Sequence, residues 1–202
     1  MKSAFKTIYL IALLGALGLV ASPTLAELSP TKDPSPFGQA LIIYYSQTGV
    51  TDKVARQIQS LIGGDLLLVE TERTLPKEEK AIIDAMKNNW REKIAVPTKT
   101  PAPDVAKYDT VFVGSAVWFA QPALPMQDFL NKMDFLGKKV IVFGTSGSGP
   151  GQAYDLLAQS IKNGQVLPGG KIFDRQTLLS EDLPVLISAW LTDLRSRAQK
   201  SQ

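Results

Sequence analysis

Ser46, Thr48 and Thr51 surround Gly49 in the stretch Tyr45-Ser46-Gln47-Thr48-Gly49-Val50-Thr51. Three hydroxyl groups this close together can donate hydrogen bonds to an anion, and the glycine lets backbone N–H groups approach it. The residues ahead, Leu41–Tyr45, are apolar, β-branched and aromatic, as in a strand buried on both faces of a parallel sheet. Behind the turn, Val54, Ile58, Leu61 and Ile62 recur at helical spacing, opposite Lys53, Arg56 and Gln57. The pattern is strand, tight turn, helix. A helix N-terminus has unpaired N–H groups and a partial positive charge, so such a turn is a phosphate site. It holds no Lys or Arg, so the anion would be gripped by neutral dipoles. Neither G-x-x-x-x-G-K-[ST] nor G-x-G-x-x-G occurs here. Thr51 or Asp52 at a helix start also suits an ordinary cap.

Two other segments carry unusual chemistry. Ala116-Val117-Trp118-Phe119-Ala120-Gln121-Pro122 sets two large aromatics side by side, and Thr145-Ser146-Gly147-Ser148-Gly149-Pro150-Gly151 has almost no side-chain bulk. The first could lie against a flat ring and exclude water. The second could bring backbone N–H groups to a ring's polar edge. Taken singly, the first could be core or surface patch and the second a plain strand-to-helix turn.

The rest of the chain has to position these three segments. Apolar runs predict strands at Leu41–Tyr45, Leu66–Glu70, Thr110–Ser115 and Lys139–Gly144, with a short fifth near Lys171–Phe173. Helices are expected after Thr51, over Lys77–Lys93 (core positions Ile82, Ile83, Met86, Trp90), from Leu124, over Gln152–Lys162 and over Glu181–Arg197. Ser180 is the expected cap of the last. Ala95–Ala106, with three prolines, is expected to be a long irregular connection, either functional or mobile. Five alternations of strand and helix imply an α/β, three-layer, doubly wound sandwich on a five-stranded parallel sheet. Ligands bind outside the carboxyl ends of such strands, where the strand order reverses. The three unusual segments leave strands one, three and four.

The turn at Tyr45–Thr51, the stretch from Tyr108-Asp109 through Gly114-Ser115 to Trp118, and Gly137–Gly149 together resemble the flavodoxin family, in register over roughly Ala40–Leu194. The resemblance implies strand order 2-1-3-4-5 and a bound flavin mononucleotide (FMN). It would place Ser46, Thr48, Gly49 and Thr51, with the backbone of Gln47 and Val50, on the phosphate. Trp118 and Phe119, with the backbone of Ala116 and Val117, would line the ring. Thr145, Ser146, Gly147 and Gly149 would meet its polar edge. The implied function is electron transfer through the flavin, with no catalytic side chain. Two other readings stay open: a cofactor-free module of this fold binding another anionic ligand, and an FMN-dependent NAD(P)H or quinone oxidoreductase. Electron-carrying flavodoxins crowd acids around the ring, whereas Ala116–Gln121 and Thr145–Gly151 contain none. The redox partner would be a protein or a small donor or acceptor.

Composition narrows the alternatives. The chain has no His and no Cys, which removes most zinc, copper and haem ligands and any histidine-based triad. Lys2 and Lys6 precede the uncharged apolar run Thr7–Ala21, and Thr24-Leu25-Ala26 offers a small-residue cleavage site. That is a secretory signal layout, so residues 1–26 are expected to be removed and the protein exported to the periplasm. The run is shorter than the ~20 residues of a bilayer span. Cleavage takes away two lysines and no acid, so the formal charge of +3 falls to +1. No basic run points to nucleic acid. Residues 27–39 read as a flexible lead-in and residues 40–197 as the folded domain.

Overall fold

The computed structural model describes residues 36–200. The expected signal segment and residues 27–35 of the lead-in lie outside the described residues. The end of the lead-in is packed: Phe37 is buried edge-on to Phe112, and the Asp109 carboxylate accepts the Gln39 N–H at 2.7 Å.

The elements are β1 (Ala40–Tyr45), α1 (Val50–Ile62), β2 (Asp65–Leu68), α2 (Glu79–Arg91), β3 (Thr110–Trp118), β4 (Gln121–Pro122), α3 (Leu124–Asn131), β5 (Lys139–Thr145), α4 (Ala153–Gln159), β6 (Gln165–Val166), β7 (Lys171–Phe173), α5 (Arg175–Leu179) and α6 (Leu183–Lys200). The sheet runs β2-β1-β3-β5-β6, all parallel. β7 also pairs with β5, in parallel, and β4 folds back antiparallel on β3. Position by position this is the expected order 2-1-3-4-5. The fifth position is shared: β6 lies beside Lys139 and Val140, and β7 beside Phe143–Thr145. Residues 167–170, Leu-Pro-Gly-Gly, separate the two halves, and a proline cannot donate to a strand ladder.

Alternation divides the central strands between two cores. Leu41, Ile43, Val111, Val113, Val140 and Val142 face α3 and α4, where they meet Met126, Phe129, Leu130 and Leu157. Ile42, Tyr44, Phe112, Ile141 and Phe143 face α1 and α6, where they meet Val54, Ile58, Ile187, Trp190 and Leu194. Each fully buried side chain of this size contributes roughly 1.5–3 kcal/mol. Leu61, expected at core spacing on α1, lies at the edge of the helix's apolar stripe and is partly exposed.

α2 departs from the layered arrangement. Its Ile82 and Met86 pack on Leu75, Val96 and Leu124, with Trp90, Trp118 and Phe119 alongside, rather than on the body of the sheet. The helix therefore stands at the carboxyl end of the strands. Ile83, expected in the core, is 43% exposed for this reason. The proline-rich connection is held in place at its centre. Thr71 and Thr98 form a bridge, and Pro97 and Glu70 carbonyls accept the N–H groups of Glu72 and Lys99 at 3.0 Å. Asp128 of α3 accepts from the Thr98 N–H, the Thr98 hydroxyl and Lys132. Among the described residues no helix is long and apolar enough to cross a membrane, and no acidic cluster could hold a metal ion.

Gly114 and Phe143 are paired neighbours on β3 and β5, and the Phe143 ring folds over the glycine. A Cβ at Gly114 would stand 2.1 Å from that buried ring. Gly114→Ala is expected to cost about 1–3 kcal/mol by overpacking, read as a lower urea midpoint.

Candidate functional site

At the carboxyl ends of β1, β3 and β5 lies a cavity of about 380 Å³, within the ~300–1,000 Å³ range of small-molecule sites. Its lining includes Thr48 and Val50 from the first turn, Ala116–Phe119 from the second segment and Thr145–Gly147 from the third. Nine of the fourteen residues singled out from the sequence thus meet around one space. Ser46, Gln47, Gly49, Thr51 and Gly149 do not line it, and the structure gives each a distinct place.

Gly49 is the N-cap of α1 at φ 87, a left-handed conformation that L side chains rarely adopt. It has no side chain with which to cap, so the first N–H groups of the helix keep no intrahelical partner. Neither Thr51 nor Asp52 caps the helix. The Thr51 hydroxyl is buried and shares a 2.8 Å hydrogen bond with the Thr145 hydroxyl, which joins the first loop to the third. Gln47 turns away: its amide donates to the carbonyls of Leu75 (3.0 Å) and Pro76 (2.6 Å) and its oxygen accepts from the Tyr45 phenol. Burial pushes that phenol's pKa above its usual range. Ser46 Oγ is buried with no hydrogen-bond partner. A buried, unsatisfied hydroxyl costs roughly 1–3 kcal/mol, and an anion at the adjoining uncapped helix end would satisfy it.

The second segment is a hairpin rather than an open loop. β3 runs on to Trp118, and Trp118 pairs with Gln121 of β4. The two residues between, Phe119 and Ala120, have φ 50 and φ 61. Positive φ at both central positions is the condition of a type I′ turn, which favours Asn-Gly. Trp118 meets Tyr45 edge-on at 5.6 Å, and Phe119 stacks on Trp90 at 5.0 Å.

In the third segment the Ser146 hydroxyl braces the loop itself. Ser146 Oγ donates to the Gly149 carbonyl and accepts the Gly149 N–H. Thr145 is committed to Thr51. The Gln152 N–H reaches the Ala120 carbonyl at 2.9 Å, and a Cβ on Gly151 would stand 2.6 Å from that same oxygen. The cavity also has walls that the sequence did not point to: Ile82 and Ile83 of α2, Ser148, and Arg175, Leu178 and Leu179 of α5. The one sequence signal for α5 is Asp174, three residues before Thr177, whose N–H its carboxylate accepts at 2.8 Å.

Residues 39–191 match the family model for flavodoxin. The chain belongs to the flavodoxin family. Among solved structures, a flavoprotein from Lactobacillus acidophilus NCFM in complex with FMN is 24% identical, with 75% of this chain and 97% of that one covered and a TM-score of 0.58. A flavodoxin from the domain Archaea (16% identity, 80% and 99% covered, TM-score 0.52) is similar, as is oxidised flavodoxin 2 from Bacillus cereus (18%, 79% and 99%, 0.51). At these identities the likeness is one of fold. No curated protein matches the chain.

In this flavodoxin the first turn of α1 is fixed electrostatically. Asp52 accepts from the Tyr44 phenol at 2.5 Å and from Arg56 at 2.8 Å. Partial burial opposes its ionisation, but these two hydrogen bonds outweigh it and hold its carboxyl below the usual carboxylate range. Burial, then the bond to Asp52, pushes the Tyr44 phenol up to about 12. A depressed carboxylate pKa stabilises the fold above the unfolded value of ~3.9, and that contribution is lost as pH falls through the folded value. The melting-temperature gap between wild type and Asp52→Asn should therefore be constant near neutrality and close as pH drops below ~4.

Thr145→Val should cost about 1–3 kcal/mol, because it leaves Thr51 Oγ buried without a partner. Thr51→Val/Thr145→Val should cost no more than the single change. Urea unfolding of the two single variants and the pair gives the coupling.

Proposed function

We propose that the chain binds FMN at this cavity and is a redox protein that transfers electrons through the flavin. The observation that carries this reading is the meeting of Thr48 and Val50 at an uncapped helix N-terminus, an aromatic hairpin and a glycine-serine loop around one space, with the orphaned Ser46 hydroxyl in the same turn as Thr48. FMN needs these together: donors for a dianionic phosphate, apolar cover for a flat ring, and fixed dipoles at the ring's polar edge. FMN supplies the redox chemistry when bound, and the protein binds, orients and shields it.

The residues take separate parts. The first N–H groups of α1, the Thr48 hydroxyl and Ser46 Oγ bind the phosphate. Thr51 acts through Thr145, fixing the distance between the phosphate end and the ring end. Trp118 and Phe119 wall the ring and keep water from it, with Trp90 backing Phe119. The third loop offers backbone N–H groups, since the Thr145 and Ser146 hydroxyls are already engaged with Thr51 and Gly149.

Electrons enter and leave at the cavity mouth, where Val50, Ile83 and Leu179 are exposed. The partner is a protein or a small donor or acceptor that reaches that mouth. We further propose that the protein works in the periplasm after loss of residues 1–26, on the strength of the Lys2–Ala26 sequence layout. A chain exported unfolded would acquire its FMN there.

The test is titration of apo-protein into FMN, followed by flavin fluorescence. Saturable quenching at one flavin per chain is expected, and unquenched FMN with no visible-spectrum change would end this reading. Ser46→Ala sharpens it. Removing an orphaned hydroxyl should leave apo stability unchanged or raise it by about 1 kcal/mol, while FMN affinity falls by about tenfold.

A further inference from the structure

The first turn of α1 has to offer free donors to an anion, yet it carries an acid of its own. Counted from the N-cap Gly49, Asp52 is the third helical residue. A carboxylate at that position can reach back to the unpaired N–H groups at the helix start, drawn by their partial positive charge. Asp52 is held elsewhere by both oxygens: Oδ1 accepts from the Tyr44 phenol at 2.5 Å and Oδ2 from Arg56 Nε at 2.8 Å. No carboxylate lines the cavity. Ser46 Oγ, in the turn just ahead, keeps no partner although this acid is close in sequence. The two holders of Asp52 are unequal. The Arg56 side chain is mostly exposed, and an exposed ion pair fixes little. The Tyr44 ring is buried in the core beneath α1, so its hydroxyl is a fixed point.

We propose that Tyr44 is a positioning residue for the phosphate end of the site: its hydroxyl holds the Asp52 carboxylate off the α1 N-terminus and so reserves that terminus for the ligand's anion. This rests on the reading of the cavity as an FMN site. The helix end is the main source of donors there, because the turn contains neither Lys nor Arg. A carboxylate released from Tyr44 would act against the ligand twice. It would occupy N–H groups that the phosphate needs, and its charge would repel a dianion at short range. Tyr44 touches no ligand in this arrangement and works only through Asp52.

The discriminating measurement is a set of dissociation constants for FMN and riboflavin, which differ only in the phosphate. Wild type, Tyr44→Phe, Asp52→Ala and Tyr44→Phe/Asp52→Ala are titrated by fluorescence quenching. Tyr44→Phe keeps the buried ring and removes one oxygen. It should weaken FMN about fivefold and leave riboflavin within about twofold. Asp52→Ala should bind FMN at least as tightly as wild type. Adding it to Tyr44→Phe should restore FMN affinity to within about twofold of Asp52→Ala alone. That rescue is the deciding comparison, because a phenol with a merely structural role would not be replaced by deleting a second side chain. FMN binding by the double variant also shows that it is folded. No FMN loss in Tyr44→Phe, equal losses for both flavins, or a loss that persists in the double variant would overturn the role of Tyr44. Wild type that binds no FMN would overturn the cofactor reading itself, before any variant is compared.

Discussion

Three loops from different strands can act as one site only if they are fixed against each other, and here each pair is joined by its own contact. The Thr51–Thr145 hydrogen bond ties the phosphate turn to the loop after β5. The Gln152 N–H on the Ala120 carbonyl ties that loop to the aromatic hairpin. The edge-on contact of Tyr45 with Trp118 ties the hairpin back to the end of β1. A closed triangle of ties resists shear in a way that two ties would not. The site is therefore built before any ligand arrives, and ordering the loops does not have to be drawn from binding energy.

The hairpin shows what this rigidity costs. Phe119 and Ala120 both hold positive φ, which L residues adopt at about 1 kcal/mol or more each. An Asn-Gly pair would relax the turn but would forfeit the ring that stacks on Trp90. The strain is held by contacts on every side: Trp90 on the Phe119 ring, Gln152 on the Ala120 carbonyl, and Gly151 packed too close to that carbonyl to carry a side chain. Local rules yield at the position where the aromatic has to be presented, which is where such exceptions concentrate.

Much of this was legible in the residues, for identifiable reasons. Strands buried on both faces must be apolar throughout, so β1, β3 and β5 announce themselves, and the alternation with helices makes the sheet parallel, while the strand order was implied by the resemblance to the flavodoxin family. The three loops stand out because hydroxyl, aromatic and glycine-rich stretches each interrupt an apolar run. What escaped notice depends on contacts between distant residues. Nothing in the periodicity of α2 says that it packs on Leu75, Val96 and Leu124 and leaves Ile83 at a cavity rim. Gln47 looks like part of a phosphate turn, yet its side chain fastens that turn to residues 75 and 76. The proline-rich connection looks loose until Asp128, some thirty residues on, accepts two hydrogen bonds from Thr98. Arg175 sits in a segment too short to show a helical period at all.

The chemistry of the site also follows from where the sheet ends. The buried polar residues of the described chain are all hydroxyl-bearing, and Thr51, Ser115, Thr145 and Ser146 of that set lie at the carboxyl ends of the central strands or the start of α1. Beneath them the central strands are apolar apart from Thr110 and Lys139 at their starts. A hydroxyl can be buried at modest cost because one group both donates and accepts, whereas a buried charge needs a partner and near-complete hydrogen bonding. Ser115 illustrates the economy: its Oγ donates to the Ala116 carbonyl and accepts the Ala123 N–H, closing the turn into α3. A belt of hydroxyls is thus the polar surface that a dry sheet can support at its rim. It holds the loops without placing fixed charge under them. The one formal charge in the cavity lining comes from α5, which packs Leu178 on the second core but has no fully buried residue.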